Sequence, residues 1–188
     1  MAIGLKRGLV RLCPHDPAWK RDFEREKRLI GRVLKNNLLG IEHIGSTAIP
    51  GLSAKPIIDI AVGVRALRQI REYARLLKKA GYAYLPRRGT TRRKFFPKGS
   101  TARRTAYVHL VKFAGIEWRK FLAFRDFLRV NKRAAGQYLE VKQKLAQRFP
   151  EDRDAYTKAK ARLIAAHIQP LADAYYRKRN KLAKPSGR

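Results

Sequence analysis

The residues best suited to chemistry cluster in one stretch, where two hydroxyls follow a glycine and a lone carboxylate interrupts an apolar run. Gly45-Ser46-Thr47 closes the short run Ile41-Glu42-His43-Ile44. Glycine frees the backbone there, and a tight turn with hydroxyls can bring N–H groups and oxygens close to a phosphate. Asp59 then stands inside Ile57-Ile58-Asp59-Ile60-Ala61-Val62. A carboxylate is costly to bury, so in such a run it has a task or a partner. Lys55, just before, offers an ammonium either to a phosphate or to Asp59 or Glu42. Glu42 and His43 alternate along one strand and so point to opposite faces. Glu42 is the candidate for orienting the turn or a metal-bound water, whereas His43 reads as a hydrogen-bonded structural histidine. Two further candidates come from later in the chain. His109 lies mid-strand, with a cleft or a satisfied core position as its alternatives. Arg125 falls within an apolar helical stripe and needs an anion there, either a carboxylate or a ligand phosphate.

The elements that must position these groups follow from periodicity. Leu9 to Cys13 reads as a first strand, and Asp16-Pro17 starts a helix whose apolar series Trp19, Phe23, Ile30, Val33 and Leu34 runs to about Lys35. Strands are predicted over 38–45, 56–64 and 105–113. In the second, Ile57, Asp59, Ala61 and Gly63 share one face and Ile58, Ile60, Val62 and Val64 the other. The first face is small and carries the acid, as a ligand-facing surface would. In the third, Thr105, Tyr107, His109 and Val111 stand against Ala106, Val108 and Leu110, which puts His109 on the face expected to meet Asp59. A helix over Leu67–Ala80 ends at Gly81, Tyr82–Leu85 begins a strand, and Pro86–Arg104 reads as a basic β-hairpin or a solvated loop. Helices follow at about 116–131, 134–148 and 151–176, with Pro170 kinking the last. The fold class is α/β (α+β), a small mixed sheet flanked by helices with a C-terminal helical cluster. One domain over 1–176 and a basic, disordered tail over 177–188 are expected.

Charge is the compositional outlier. Lys and Arg number 45 against 14 Asp and Glu, a net charge of +31. It is concentrated: residues 65–115 hold 15 basic side chains and one acidic, Glu72. Such a field attracts polyanions, so a nucleotide or nucleic acid is the expected partner. The single cysteine, Cys13, excludes an internal disulfide framework and a cysteine zinc site. No run approaches the ~20 apolar residues of a membrane span and the N-terminus lacks a signal-peptide pattern, so no membrane association and a cytoplasmic address are expected.

The stretch "IEHIGSTAIPGLSAKPIIDIAV", together with Tyr107-Val108-His109-Leu110-Val111 and the segment from Trp118 through Phe124-Arg125-Asp126-Phe127, resembles the signature of GrpB-like proteins of the nucleotidyltransferase superfamily. The resemblance spans roughly residues 9–176. It implies a nucleotidyltransferase-like sheet in which the turn Gly45-Ser46-Thr47 grips phosphate, with Lys55 and Arg125 as further anion contacts. It also implies Asp59 as the first acid of a metal-binding pair, holding Mg²⁺ for in-line attack on a phosphate. The second acid position is occupied by Ala61, which departs from the superfamily pattern and leaves Glu42 as the other metal candidate and His109 as a third member of the catalytic group. Three readings stand at this point: a metal-dependent nucleotidyltransferase, a non-catalytic nucleotide- or RNA-binding module, and an accessory role in coenzyme A metabolism, since GrpB-like domains occur fused to dephospho-coenzyme A kinase.

Overall fold

Alternation of apolar and small residues along 58–64 and 104–112 builds the centre of a four-stranded mixed sheet. The structure, a computed structural model, describes residues 3–182. Its strands are β1 (Gly40–Ile44), β2 (Ile58–Val64), β3 (Arg93–Gly99) and β4 (Arg104–Lys112), in the spatial order β1-β2-β4-β3. β2 runs antiparallel to β1 and parallel to β4, and β3 and β4 form an antiparallel hairpin. The basic segment 86–104 therefore supplies one arm of a hairpin, β3, whose other arm is β4, the strand expected at 105–113; β3 and β1 are the outer strands of the sheet. The parallel step needs a crossover, supplied by helix α2 (Ile70–Lys79).

One face of the sheet is the main core. Ile58, Ile60, Val62 and Val64 from β2 and Ala106, Val108 and Leu110 from β4 pack there against Trp19, Phe23, Ile30 and Leu34 of α1 (Ala18–Leu34) and Tyr73 and Leu77 of α2. Helix α1 begins where the Asp16 carboxylate accepts the Ala18 N–H at 2.8 Å. Its buried stripe includes Glu26, whose charge is met by Lys98 Nζ and whose Oε2 accepts from the Tyr82 hydroxyl, both at 2.8 Å.

The opposite face is covered by the C-terminal helices α3 (Ile116–Val130), α4 (Lys132–Arg148), α5 (Arg153–Leu163) and α6 (Gln169–Leu182). Trp118 of α3 sits with Ile44, Ala61 and Val111, and Phe121 and Leu122 pack against them. That approach needs Gly40 and Gly63, because a Cβ on either would stand 2.6–2.8 Å from the Phe113 ring. Ile49 and Leu52, from the connection after β1, insert among Ala123, Phe127, Tyr138 and Ala172.

Three expectations are corrected. Leu9–Cys13 forms no strand; the chain there makes isolated bridges at Leu5 to Arg104 and Cys13 to Ala54. Its other backbone partners lie in the C-terminal part of the chain: Val10 N–H donates to Pro150 O, in the connection between α4 and α5, and the Arg153 guanidinium of α5 caps the carbonyls of Lys6 and Leu9. Tyr82–Leu85 likewise contributes a single bridge, Tyr82 to Lys98, rather than a strand. Residues 177–182 continue α6, held to α3 by the Tyr175 ring 6.1 Å from Phe127 and by Arg179 at 3.3 Å from Asp126; residues 183–188 of the expected tail lie outside the described residues. The kink expected at Pro170 is a π turn over Ile164–Ile168. Proline lacks an N–H and crowds the carbonyl four residues back, and a widened turn accommodates both.

Candidate functional site

The turn after β1 explains why its first residue is glycine. Gly45 has φ 69° and ψ −169°, a conformation essentially reserved to glycine. A Cβ there would also stand 2.7 Å from Asp59 Oδ2, so the turn makes room for that carboxylate. Asp59 pairs across the sheet with Ile44 on one side and Tyr107 on the other, and Ala61 with Glu42 and His109. Asp59, His109, Tyr107 and Glu42 thus share the face beneath the C-terminal helices.

Asp59 and His109 are in contact, Oδ1 to Nε2 at 3.3 Å. Arg93 Nη1 lies 3.2 Å from His109 Nδ1. A guanidinium can only donate, so Nδ1 keeps its lone pair and the ring proton sits on Nε2, donated to Asp59. The rings of Phe121 and Phe95 flank the imidazole at 5.3 and 5.5 Å. Burial pushes the Asp59 carboxyl up, but the His109 side chain first, through its hydrogen bond and its electrostatics, and then the charges of Lys160 and Lys55 outweigh it and hold it below the usual carboxylate range. A third of its side chain reaches solvent.

The remaining expected residues divide between the Asp59 face and the framework. Ser46 is half-buried beside α4, its Oγ 3.3 Å from the Tyr138 hydroxyl. Thr47 is buried, and its hydroxyl is paired with His43 Nε2 at 3.0 Å. His43 stacks on Phe23 on the core side, and burial pulls its pKa down to about 4. Arg125 is buried and internally bonded: Nη1 meets Glu42 Oε2 at 2.6 Å and the His43 carbonyl at 3.0 Å, and Nε meets Asp126 at 2.7 Å. Arg125 therefore fastens α3 to the strand that delivers the turn, and Glu42 is its counter-ion. Arg129, one turn on, donates through Nη2 to the Ala48 carbonyl at 2.7 Å.

Sequence reasoning missed the cleft's richest feature. Helices α4 and α5 each carry a tyrosine followed four residues later by a lysine, Tyr138/Lys142 and Tyr156/Lys160, and that spacing puts both members on one face. Lys55 and Lys160 lie against the Tyr156 ring, 4.9 and 5.6 Å from its centroid, and Lys142 lies 5.2 Å from that of Tyr138. Lys142 Nζ also donates to the Ser53 carbonyl. Burial first, then the neighbouring cations, lowers Lys142 to about 6 and Lys55 to about 7. Lys160 is moved the other way: burial opposes its charge, but Tyr138, Tyr156 and Asp59 favour it more strongly. The repeated Tyr-x-x-x-Lys was legible as a pattern, but nothing in it says that two separate helices converge on Asp59. Arg153 closes the far side, donating to the Tyr107 hydroxyl at 2.8 Å.

The donor set does not fit a divalent metal ion. Glu42 is engaged by Arg125, both nitrogens of His109 are taken, and position 61 is alanine. Among the described residues no group of three or more His, Cys, Asp or Glu side chains is placed to hold a metal ion.

A mixed sheet with a glycine-serine turn facing a strand aspartate is the architecture of the nucleotidyltransferase fold, and comparison with known proteins agrees. The family model described as GrpB protein matches residues 9–170. The glutamate-rich protein GrpB of Alkalihalophilus pseudofirmus is 35% identical over 166 residues, covering 86% of this chain and 95% of the relative. A UPF0157 protein of Pseudomonas aeruginosa is 40% identical over 159 residues, 83% of this chain and 65% of that one. The crystal structure of conserved protein GrpB from Enterococcus faecalis superposes with a TM-score of 0.80 at 35% identity, covering 88% of this chain and 99% of that one. The Cid1 poly(U) polymerase shares the fold, with a TM-score of 0.51 at 13% identity over 79% of this chain and 49% of that one. The chain belongs to the GrpB family.

Proposed function

We propose that the cleft binds the phosphate groups of a nucleotide. One observation carries this reading: the Ser46 hydroxyl, the Asp59 carboxylate and the ammonium groups of Lys55 and Lys160 are gathered on one face through Tyr138 and Tyr156. Lys160, held charged, Lys55, which with a pKa of about 7 takes up its proton as an anion approaches, and a hydroxyl at a strand-end turn are what a phosphate group needs. The resemblance in fold to Cid1, a poly(U) polymerase whose structure holds Mg 3′-dATP, supports the same substrate class. No helix among the described residues is long and apolar enough to cross a membrane.

A titration of ATP and the other nucleoside triphosphates into the chain at low salt tests this. Ser46→Ala is expected to weaken binding by about fivefold, the cost of one lost hydrogen bond. Asp59→Asn is expected to keep or raise affinity, because the carboxylate repels phosphate. Asp59 is also the observation that favours nucleotidyl transfer at this site. In that case Asp59→Asn lowers turnover by orders of magnitude while leaving affinity largely intact. No binding of any nucleotide would refute both readings.

The basic exterior supports a second contact. Arg71, Arg75 and Lys78 of α2, with Arg68 in the turn just before it, are exposed at helical spacing. They form a stripe suited to tracking a nucleic-acid backbone.

A further inference from the structure

Lysine amino groups held by the fold stand near Asp59, where a phosphate-handling site needs positive charge. Of the acids on the cleft face, Glu42 is neutralised by Arg125 at 2.6 Å, which leaves Asp59 as the carboxylate facing a ligand. Asp59 gives one oxygen to the His109 proton and lays the other against Gly45. Around it stand Lys55 and Lys160, both on the Tyr156 ring, with Lys142 behind them, anchored to the Ser53 carbonyl. The tyrosine rings and the Ser53 carbonyl hold the lysine side chains in place before any ligand arrives, so little ordering is lost when an anion is bound.

From this arrangement we infer that the cleft takes a nucleotide's polyphosphate as the metal-free anion, with Lys55 and Lys160 supplying the positive charge that divalent cations supply elsewhere. The inference rests on the reading of this face as a phosphate site and adds a condition to it. A magnesium ion on the phosphates cancels two of their negative charges. It would also bring a divalent cation against ammonium groups that cannot ligate it, while finding one partly engaged carboxylate to bind. Magnesium therefore weakens rather than strengthens binding here.

The test is calorimetric titration of ATP into the full chain at low salt, once with EDTA and once with excess Mg²⁺. It is repeated with Lys160→Met and Lys55→Met after circular dichroism has shown both variants folded. Wild type is expected to bind in EDTA at least as tightly as with Mg²⁺. Each lysine variant is expected to lose roughly tenfold or more in EDTA, the effect of removing one partner from a close charge pair. Binding that appears only with Mg²⁺, or is tenfold tighter with it, overturns the inference and leaves the phosphate site standing. Binding in EDTA that neither variant weakens also overturns it, since the anion then sits outside the lysine cluster. Absence of binding in both conditions removes the phosphate site itself.

Discussion

Gly45 and His43 show how much of the site depends on single atoms. Gly45→Ala places a methyl 2.7 Å from Asp59 Oδ2 on a backbone at φ 69°. The strain alone is worth roughly 1–3 kcal/mol, and the displaced carboxylate loses its contact with His109. Thermal unfolding of the variant should show that loss, and weakened nucleotide binding should accompany it. His43 is buried and held neutral, with its pKa lowered to about 4 from an ordinary 6.5. The unfolded chain then binds the extra proton first as pH falls, so stability is lost between pH 6.5 and 4 and levels off below. The full loss is up to about 3 kcal/mol. Denaturant unfolding across that range should show the slope in wild type and a flatter profile in His43→Gln. The faces of Asp59 and His109 were readable from alternation alone, because a strand's period of two leaves no other choice. The tyrosines and lysines of α4 and α5 were not, because their meeting depends on how two helices pack.

At the scale of elements, Arg125 is the fastener between α3 and β1. Removing it leaves Glu42 and the His43 carbonyl without their cation, while Asp126 keeps Arg179 at 3.3 Å, so Arg125→Ala should destabilise by roughly 3 kcal/mol or more. Arg125→Lys should restore little, since an ammonium cannot reproduce the guanidinium's several fixed donors. The Arg88–Asp154 pair, which ties the loop before β3 to α5, offers the contrast. It is equally short at 2.6 Å but solvent-exposed on both sides, and Arg88→Ala should cost under about 1 kcal/mol. Equilibrium denaturation of the three variants checks the order; an Arg125→Ala loss no larger than that of Arg88→Ala would contradict it. Arg125's need for an anion was legible because an arginine in an apolar stripe cannot remain unpaired. The missing first strand was not legible: Leu9–Cys13 has strand composition, but its Leu9 carbonyl is claimed by Arg153, 144 residues on, and its Cys13 carbonyl by the Ala54 N–H.

Across the whole molecule, two modes of anion binding separate by their salt dependence. The net charge of +31 is spread over the whole chain, and much of it lies on exposed lysines and arginines of α1, α2 and the β3–β4 hairpin, away from Asp59. Single-stranded oligonucleotide held by that exterior should lose roughly 300-fold to 10⁴-fold in affinity between 50 and 200 mM salt if six to ten phosphates are neutralised. Fluorescence anisotropy should find that binding unchanged in Lys160→Met, whereas nucleotide binding in the cleft falls. Equal sensitivity of both to Lys160→Met would mean a single site. The claim on which the rest depends is that phosphates enter the cleft at all, and a crystal structure of the chain grown with ATP tests it most directly. The phosphate oxygens should lie about 2.7–3.2 Å from Ser46 Oγ and from the Nζ atoms of Lys55 and Lys160. Phosphates found instead on the outer arginines of α2, with the face around Asp59 unoccupied, would contradict it.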